Sequence, residues 1–201
     1  MLISDFVEKS LKSLREVACG QSIKEIICLG IGRVSDCSIA KHQLAFISII
    51  KKDLNIPSAK FYDPVLLSSD KDILEKLDFS VLSENKEGKY QADQTTLFYL
   101  PHCPKQITNN LLFANWKPDY LNNLILICNS FQTIIESTPE RLLRPNAHFL
   151  LEINPFVTEI ELENCYRFKD IFNDFSIHTF GAEKLKPLPS DFWDNQEEPN
   201  Y

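Results

Sequence analysis

Long apolar runs and clusters of basic residues are both missing from this 201-residue sequence. No stretch of about 18 consecutive apolar residues occurs, so the sequence predicts no membrane-spanning helix. The opening segment, MLISDFVEKSLKSLRE, carries charges where a signal peptide needs its apolar stretch, so we expect no export. With 21 Lys and Arg against 28 Asp and Glu, no segment is basic enough to predict binding to nucleic acid or to an anionic membrane.

Paired cysteines and catalytic signatures are absent as well. No CxxC, GxSxG, Walker loop or HExxH motif occurs, so the sequence predicts neither a metal site nor a recognisable catalytic motif. The six cysteines are scattered through apolar surroundings, at positions 19, 28, 37, 103, 128 and 165. This distribution is typical of reduced thiols and favours a cytoplasmic or nuclear protein.

The end of the chain differs from the rest. Residues 182–201 contain three prolines, and four acidic but no basic residues lie in the last twelve positions. Because this segment also lacks periodicity, we expect a loosely attached acidic tail. The length before it suits a single domain over residues 1–181, beginning with an amphipathic helix at about residues 4–18.

Apolar runs alternate with amphipathic segments through this domain. The runs predict strands at 26–29, 59–62, 79–82, 95–100, 124–128, 148–153 and 176–180. Between them, helical spacing predicts helices at 36–52 and 68–76 and from Pro104 to Trp116. Continuous apolar runs are typical of parallel strands buried on both faces. The sequence therefore predicts a doubly wound, mostly parallel α/β sheet with helices on both faces, Rossmann-like and similar to class I methyltransferases.

Glycine is scarce, and two of the five glycines, Gly30 and Gly32, follow the first predicted strand. Ligands of open α/β sheets bind at such turns, and an acidic residue after the second strand, here Asp63, can hydrogen-bond a ribose hydroxyl. The dinucleotide pattern needs a third glycine where this chain has Ser35. A purely structural turn, with Asp63 bonded within its own loop, is the alternative interpretation.

Two further strand ends carry polar groups. His102 and Cys103, between two prolines, follow the fourth predicted strand and could contact a ligand or serve in acid–base chemistry. Asn129 and Ser130 follow the fifth and could bind a polar ligand, although capping of the next helix is an alternative for Ser130. We expect these strand ends to converge on one ligand crevice at the carboxyl edge of the sheet, and Glu152, at the end of the predicted sixth strand, is a further candidate carboxylate for it.

Several segments together carry a family resemblance. They are CLGIGRVSDCSIAKHQLAFI, FYDPV, LDFSVLSENKEGKYQADQTTLFYLPHCPKQITNNLLFANW, NLILICNSF and FNDFSIHTF. In these segments the chain resembles the SRR-like family, named for sensitivity to red light reduced. The resemblance implies a regulator of circadian clock input and of haem biosynthesis in the cytoplasm and nucleus, and it brings no catalytic residues.

Three functional hypotheses follow. The first is a regulatory protein that acts through protein partners and a small-molecule crevice. The second is an S-adenosylmethionine-dependent methyltransferase-like enzyme that uses Gly30, Gly32 and Asp63, although such enzymes usually carry an acidic residue where this chain has Cys28. The third is a haem sensor with His102 or Cys103 as the axial ligand.

Overall fold

The computed structural model describes residues 5–194 and 197–199, and within them the chain forms one seven-stranded sheet flanked by helices. The strands are β1 (Glu25–Leu29), β2 (Ser58–Tyr62), β3 (Ser80–Val81), β4 (Thr96–Tyr99), β5 (Leu124–Asn129), β6 (Thr158–Glu161) and β7 (Phe175–Thr179). The helices are α1 (Asp5–Ala18), α2 (Ser38–Asp53), α3 (Ser68–Lys76), α4 (Lys105–Ala114), α5 (Pro118–Leu121), α6 (Phe131–Ser137), α7 (Glu140–Ile153) and α8 (Ala182–Leu185). Short 3-10 helices lie at Asn154–Phe156 and Ser190–Trp193. None of the described helices combines the length and the apolar character needed to cross a bilayer.

The strand order is β3-β2-β1-β4-β5-β7-β6. Strands β1 to β5 pair in parallel, whereas β7 is antiparallel to both β5 and β6. The chain moves outward from β1 through β2 to β3 and then returns to the other side of β1 with β4, so the winding reverses between β1 and β4. This is a doubly wound, mostly parallel, Rossmann-like α/β fold, which confirms the fold predicted from the sequence.

Both faces of the sheet are buried. In β1, Ile26 and Cys28 face the core beneath α1 and α2, whereas Ile27 and Leu29 face the core beneath α4 and α7. Burial of one such aliphatic side chain contributes about 1.5–3 kcal/mol. Residues on both faces of the strand therefore need to be apolar, which explains the continuous apolar runs in the sequence.

The prediction of a strand at 148–153 is wrong, because these residues form the second half of α7. The buried residues Leu143, Ala147, Leu150 and Ile153 follow one another at intervals of three or four, which is helical spacing. The helix is interrupted at Ala147, whose backbone is not helical, and Pro145 lies just before this kink. The short apolar segment after the kink resembles a buried strand when it is considered alone.

Glu152 consequently does not lie at the end of a strand. On α7 its carboxylate is 3.5 Å from the Arg144 guanidinium and 3.9 Å from Nδ1 of His148. The sixth strand is instead the sequence TEIE at Thr158–Glu161, which pairs only with β7 at the edge of the sheet. It was not predicted, because an edge strand that is half exposed does not need an apolar run.

The C-terminal segment packs on the domain within its described part, in contrast to the loosely attached tail expected from the sequence. Leu185 in α8 is fully buried. The Phe192 ring stacks on Trp116 with centroids 5.4 Å apart, and Nε1 of Trp116 donates a hydrogen bond to the Phe192 carbonyl at 3.2 Å. These apolar residues lie on short helical turns separated by prolines, so they produce no recognisable period in the sequence.

A buried carboxylate fixes the loop between β1 and α2. Asp70, in the first turn of α3, accepts hydrogen bonds from the main-chain N–H groups of Ser35 at 2.7 Å and Leu67 at 2.8 Å. Burial alone would raise the pKa of Asp70, but the two hydrogen bonds outweigh it and hold this pKa below its ordinary value. The ionised carboxylate therefore stabilises the position of residues 30–37.

Removal of the docked C-terminal segment should lower stability. We expect a chain that ends at Leu188 to melt about 4–8 °C lower, because loss of the half-buried Phe192 ring costs about 2 kcal/mol in a chain of this size. A chain that ends at Asp194 keeps the docked rings and is the matched control, with a nearly unchanged melting temperature. Equal melting of both truncated chains in a calorimetric scan would contradict the packing.

The Asp70→Asn substitution should lower the free energy of unfolding by about 2 kcal/mol at pH 7, because an amide cannot accept both hydrogen bonds. The folded-state pKa is depressed, so the contribution of Asp70 is complete above the unfolded-state pKa of about 3.9 and is lost as pH falls through the folded-state pKa. The difference from the wild type should therefore shrink below about pH 4 in denaturant titrations. Asp72→Asn, on the exposed side of α3, serves as the control and should change stability little at either pH.

Candidate functional site

The turn after β1 requires its two glycines. Gly30 and Gly32 have φ angles of +72° and +78°, in the region that side-chain-bearing residues rarely adopt. A Cβ atom on Gly30 would also lie 2.4 Å from Sγ of Cys103. The Gly30 position is therefore fixed both by its backbone conformation and by the close approach of the loop after β4.

Asp63, directly after β2, joins this turn to the neighbouring strand. Its Oδ2 accepts a hydrogen bond from the Gly32 N–H at 2.8 Å, and its Oδ1 accepts one from the Val65 N–H at 2.9 Å. Each carboxylate oxygen has a second lone pair that these bonds leave available. The structure thus brings Gly32 and Asp63 together. Asp63 also forms the bond within its own loop that the structural alternative required, and its remaining lone pairs can still contact a ligand.

Cys103 and His102 follow β4 and face different surroundings. The Cys103 thiol donates a hydrogen bond to the Leu29 carbonyl at 3.2 Å, and burial, with a smaller contribution from Asp63, raises its pKa to about 12. The thiol is therefore neutral near pH 7 and is a poor nucleophile. His102 adopts a positive φ of 54° and places its Nε2 3.2 Å from the Ile171 carbonyl, with its ring against Phe175.

A cavity of about 280 Å³ lies at the carboxyl ends of β1 and β2, beside the start of α4. We call it the switch-point cavity, because it adjoins the place between β1 and β4 where the winding of the sheet reverses. Its lining residues are Leu29, Gly30, Tyr62, Asp63, Pro64, Asn85, Glu87, Gly88, Tyr90, Cys103, Pro104 and Ile107. Gly30, Asp63 and Cys103 were candidates from the sequence, and the other lining residues were not.

The outer wall of this cavity is the segment 84–92, and side chains from α4 and its end hold it in place. Asn110 donates a hydrogen bond to the Glu87 carbonyl at 2.8 Å. Asn115 donates to the Tyr90 carbonyl and accepts from the Ala92 N–H, both at 2.8 Å. One residue of this wall could have been noticed in the sequence, because Gly88 is another of the scarce glycines. In the structure it has a φ angle of +87°, and a Cβ atom there would collide with Ile107.

The remaining candidates lie along the same edge of the sheet but outside this cavity. Asn129 donates a hydrogen bond to Asp174 at 3.1 Å and lines a shallow neighbouring depression together with His102. The Ser130 hydroxyl accepts a hydrogen bond from the Thr133 N–H and caps α6. Ser130 also lines a third depression, of about 480 Å³. The single crevice expected from the sequence is thus divided, with Cys103 lining both the switch-point cavity and the depression that contains His102.

His178 forms a buried polar cluster that the sequence did not indicate. Its ring stacks on Phe131, its Nδ1 lies 3.5 Å from Sγ of Cys128, and its Nε2 lies 3.5 Å from Oε2 of Glu159. Burial lowers the pKa of His178, so the ring is neutral near pH 7, and burial raises the pKa of the Cys128 thiol. Because His178 and Cys128 are sealed from solvent, the cluster is part of the core. Among the described residues, no group of three or more His, Cys, Asp or Glu side chains is arranged to hold a metal ion.

Comparison with known proteins extends the resemblance seen in the sequence. Residues 9–179 match the family model described as SRR1 domain. The SRR1-like protein of Drosophila melanogaster is 36% identical over 197 residues, which cover 96% of this chain and 69% of that protein. The SRR1-like protein of Mus musculus is 34% identical, and this match covers 71% of this chain and 58% of the mouse protein.

A plant relative and one solved structure are also similar. Protein SENSITIVITY TO RED LIGHT REDUCED 1 of Arabidopsis thaliana is 33% identical over 121 residues, which cover 59% of this chain and 44% of that protein. The crystal structure of the SAH-bound Podospora anserina methyltransferase PaMTH1 has a TM-score of 0.48 and 13% identity, with 89% of each chain covered.

The family match spans the residues from α1 to the end of β7, and it therefore includes both the sheet and the switch-point cavity. The resemblance found in the sequence is confirmed, and the chain belongs to the SRR1 family.

Proposed function

We propose that this chain is a regulatory protein that binds a small molecule in the switch-point cavity and acts through protein partners in the cytoplasm or nucleus. Its membership of the SRR1 family supports a role in circadian clock input and in the control of haem biosynthesis. The observation that carries the ligand-binding part is the cavity itself, located where the winding of the sheet reverses. Open α/β sheets bind their ligands at this place.

The composition of the cavity supports binding. Aromatic and aliphatic side chains form most of the wall, and a small number of polar groups, among them Asp63 and Asn85, also line it. Ligand cavities usually combine such an apolar wall with a few oriented polar groups. The wall is held by hydrogen bonds of the protein itself, so the cavity exists before a ligand enters.

Two titratable groups of the wall, Cys103 and Tyr90, favour binding over turnover. Burial raises the pKa of the Cys103 thiol to about 12 and also raises the pKa of the Tyr90 hydroxyl. Neither group is thereby prepared to lose a proton near pH 7, as a nucleophile or a general base must. Both side chains therefore serve as parts of the wall.

An S-adenosylmethionine-dependent enzyme is the second candidate function. Asp63 favours it, because an acidic residue directly after β2 can bind ribose hydroxyls. Cys28, in the position where methyltransferases of this fold usually have an acid, is fully buried in the core and offers no such group. Methyl transfer from labelled S-adenosylmethionine to a cell extract, if abolished by Asp63→Ala, would favour the enzyme over the regulatory protein.

The haem hypothesis has less support from the geometry. Nε2 of His102 and Sγ of Cys103 lie 3.2 Å from the carbonyls of Ile171 and Leu29, so iron ligation would have to break these contacts. A Soret band that appears with haem and disappears in the His102→Ala, Cys103→Ala double variant would be required to support it.

Filling the cavity should prevent binding of a small apolar probe. We expect indole to shift the NMR resonances of Tyr62 and Tyr90 in the wild type, and Ile107→Phe to abolish these shifts because the larger ring occupies the cavity. Ile135→Phe is the matched control, since Ile135 is also half-buried on a helix but lies outside the cavity. Equal indole-induced shifts in the wild type and in Ile107→Phe would contradict the cavity as the binding site.

The Ile107→Phe and Ile135→Phe variants should also differ in their effect on cells. In cells that lack the wild-type protein, Ile107→Phe should leave the rhythm period and the haem content as altered as in the null, whereas Ile135→Phe should restore both. Protein abundance, measured by immunoblot, must be equal for the comparison to be valid. Full restoration by Ile107→Phe would show that regulation does not depend on the cavity.

A further inference from the structure

The switch-point cavity offers hydrogen-bond acceptors and negative charge to a ligand. Its charged lining residues are Asp63 and Glu87, and no Lys, Arg or His is found among the lining residues that the structure describes. The nearby ammonium group of Lys89 is already engaged, because it pairs with both Glu87 and Glu198. An anionic group that entered the cavity would therefore meet the Asp63 carboxylate, which has no cationic partner among the described lining residues, and the Glu87 carboxylate, which shares its partner Lys89 with Glu198.

The turn that holds phosphate in many related folds is also occupied by the protein's own carboxylates. In dinucleotide-binding sheets, the N–H groups after β1 bind a phosphate. Here the Gly32 N–H donates to Asp63 and the Ser35 N–H donates to the buried Asp70. A phosphate could use these donors only by displacing one of the two carboxylates, and repulsion from that carboxylate would remain.

The apolar part of the cavity suits one flat ring system. Tyr62, Tyr90 and Ile107 contribute aromatic and aliphatic surface, and Pro64 and Pro104 add rigid apolar edges. The volume of about 280 Å³ is near the lower end, roughly 300 Å³, of ligand-binding cavities. One flat ring system with a short polar group attached fits this size better than a dinucleotide does.

Asp63 supplies the acceptors for this polar group. Its two oxygens are each fixed by one main-chain donor, from Gly32 and Val65, which orients the carboxylate and leaves a lone pair on each oxygen. Two adjacent hydroxyl groups on a ligand can satisfy these lone pairs, and a hydroxyl loses less on desolvation than a charged group does.

We propose that the ligand of the switch-point cavity is a nucleoside without phosphate, whose vicinal hydroxyls donate to Asp63 and whose base packs among Tyr62, Tyr90 and Ile107. This inference rests on the proposed function, in which the cavity binds a small molecule. It adds that phosphorylated forms of the same nucleoside are rejected by the carboxylates of Asp63 and Glu87.

Adenosine and its monophosphate provide the direct test, because they differ only by the phosphate. We expect adenosine to bind the full chain saturably in calorimetric and NMR titrations, with shifts at the cavity residues that Ile107→Phe abolishes. Adenosine monophosphate should bind at least about tenfold more weakly, owing to repulsion between the phosphate and the two carboxylates.

A charge-reversal variant tests the cause of the discrimination. Glu87→Lys should tighten binding of the monophosphate relative to that of adenosine by about tenfold, because a repulsive charge is replaced by an attractive one. Glu84→Lys is the matched control, since Glu84 is exposed in the same segment but does not line the cavity, and it should leave the discrimination unchanged. Neither substitution alters the hydrogen bonds that Asp63 makes with the turn.

The outcomes separate this inference from the proposed function. Equal binding of adenosine and its monophosphate, or equal effects of Glu87→Lys and Glu84→Lys, would overturn the rejection of phosphate. Binding of indole in the cavity without binding of adenosine would overturn the nucleoside and leave the ligand-binding function standing. Failure of both indole and adenosine to bind would remove the proposed function as well.

Discussion

Two carboxylates that accept hydrogen bonds from the β1–α2 loop are the constraint on which the carboxyl edge of the sheet depends. Asp63 holds Gly32, and the buried Asp70 holds Ser35. Gly30 precedes both contacts in the chain, and its positive φ angle and missing side chain let the backbone pass close to Cys103. Because each carboxylate accepts a hydrogen bond from the main chain of this loop, the loop and the segments that carry the acids stabilise one another. These interactions within the protein therefore shape one side of the cavity.

The central sheet was predictable because burial on both faces leaves a strong mark on the sequence. Strand β5 is apolar at nearly every position, and its helical neighbours show amphipathic spacing. The apolar residues 148–153 were misjudged because a run of six residues fits either a buried strand or a helix after a kink. Only the contacts of Leu143 and Ala147 in the same core decide between the two. The edge strand β6 left no such mark, since half-exposed positions tolerate polar residues.

The site was predictable only where its residues directly follow strands. Gly30, Asp63 and Cys103 meet because parallel strands bring their carboxyl ends to one edge. The segment 84–92 could not be assigned to the site, because it is placed by amide side chains of Asn110 and Asn115, more than twenty positions away along the chain. His102 also follows a strand, but its positive φ places the ring beside Ile171, which no local sequence pattern reveals.

The wall of the switch-point cavity is connected to the C-terminal segment by two routes. Lys89 in the wall pairs with Glu198, and Trp116, just after α4, stacks on Phe192. The exposed ion pair contributes little energy by itself, whereas the stacked rings bury apolar surface. A ligand affects a distant surface only if it binds two arrangements of the protein with different affinity. Residues 84–92 contact both the cavity and the C-terminal segment, so any coupling between these two places would have to pass through this part of the wall.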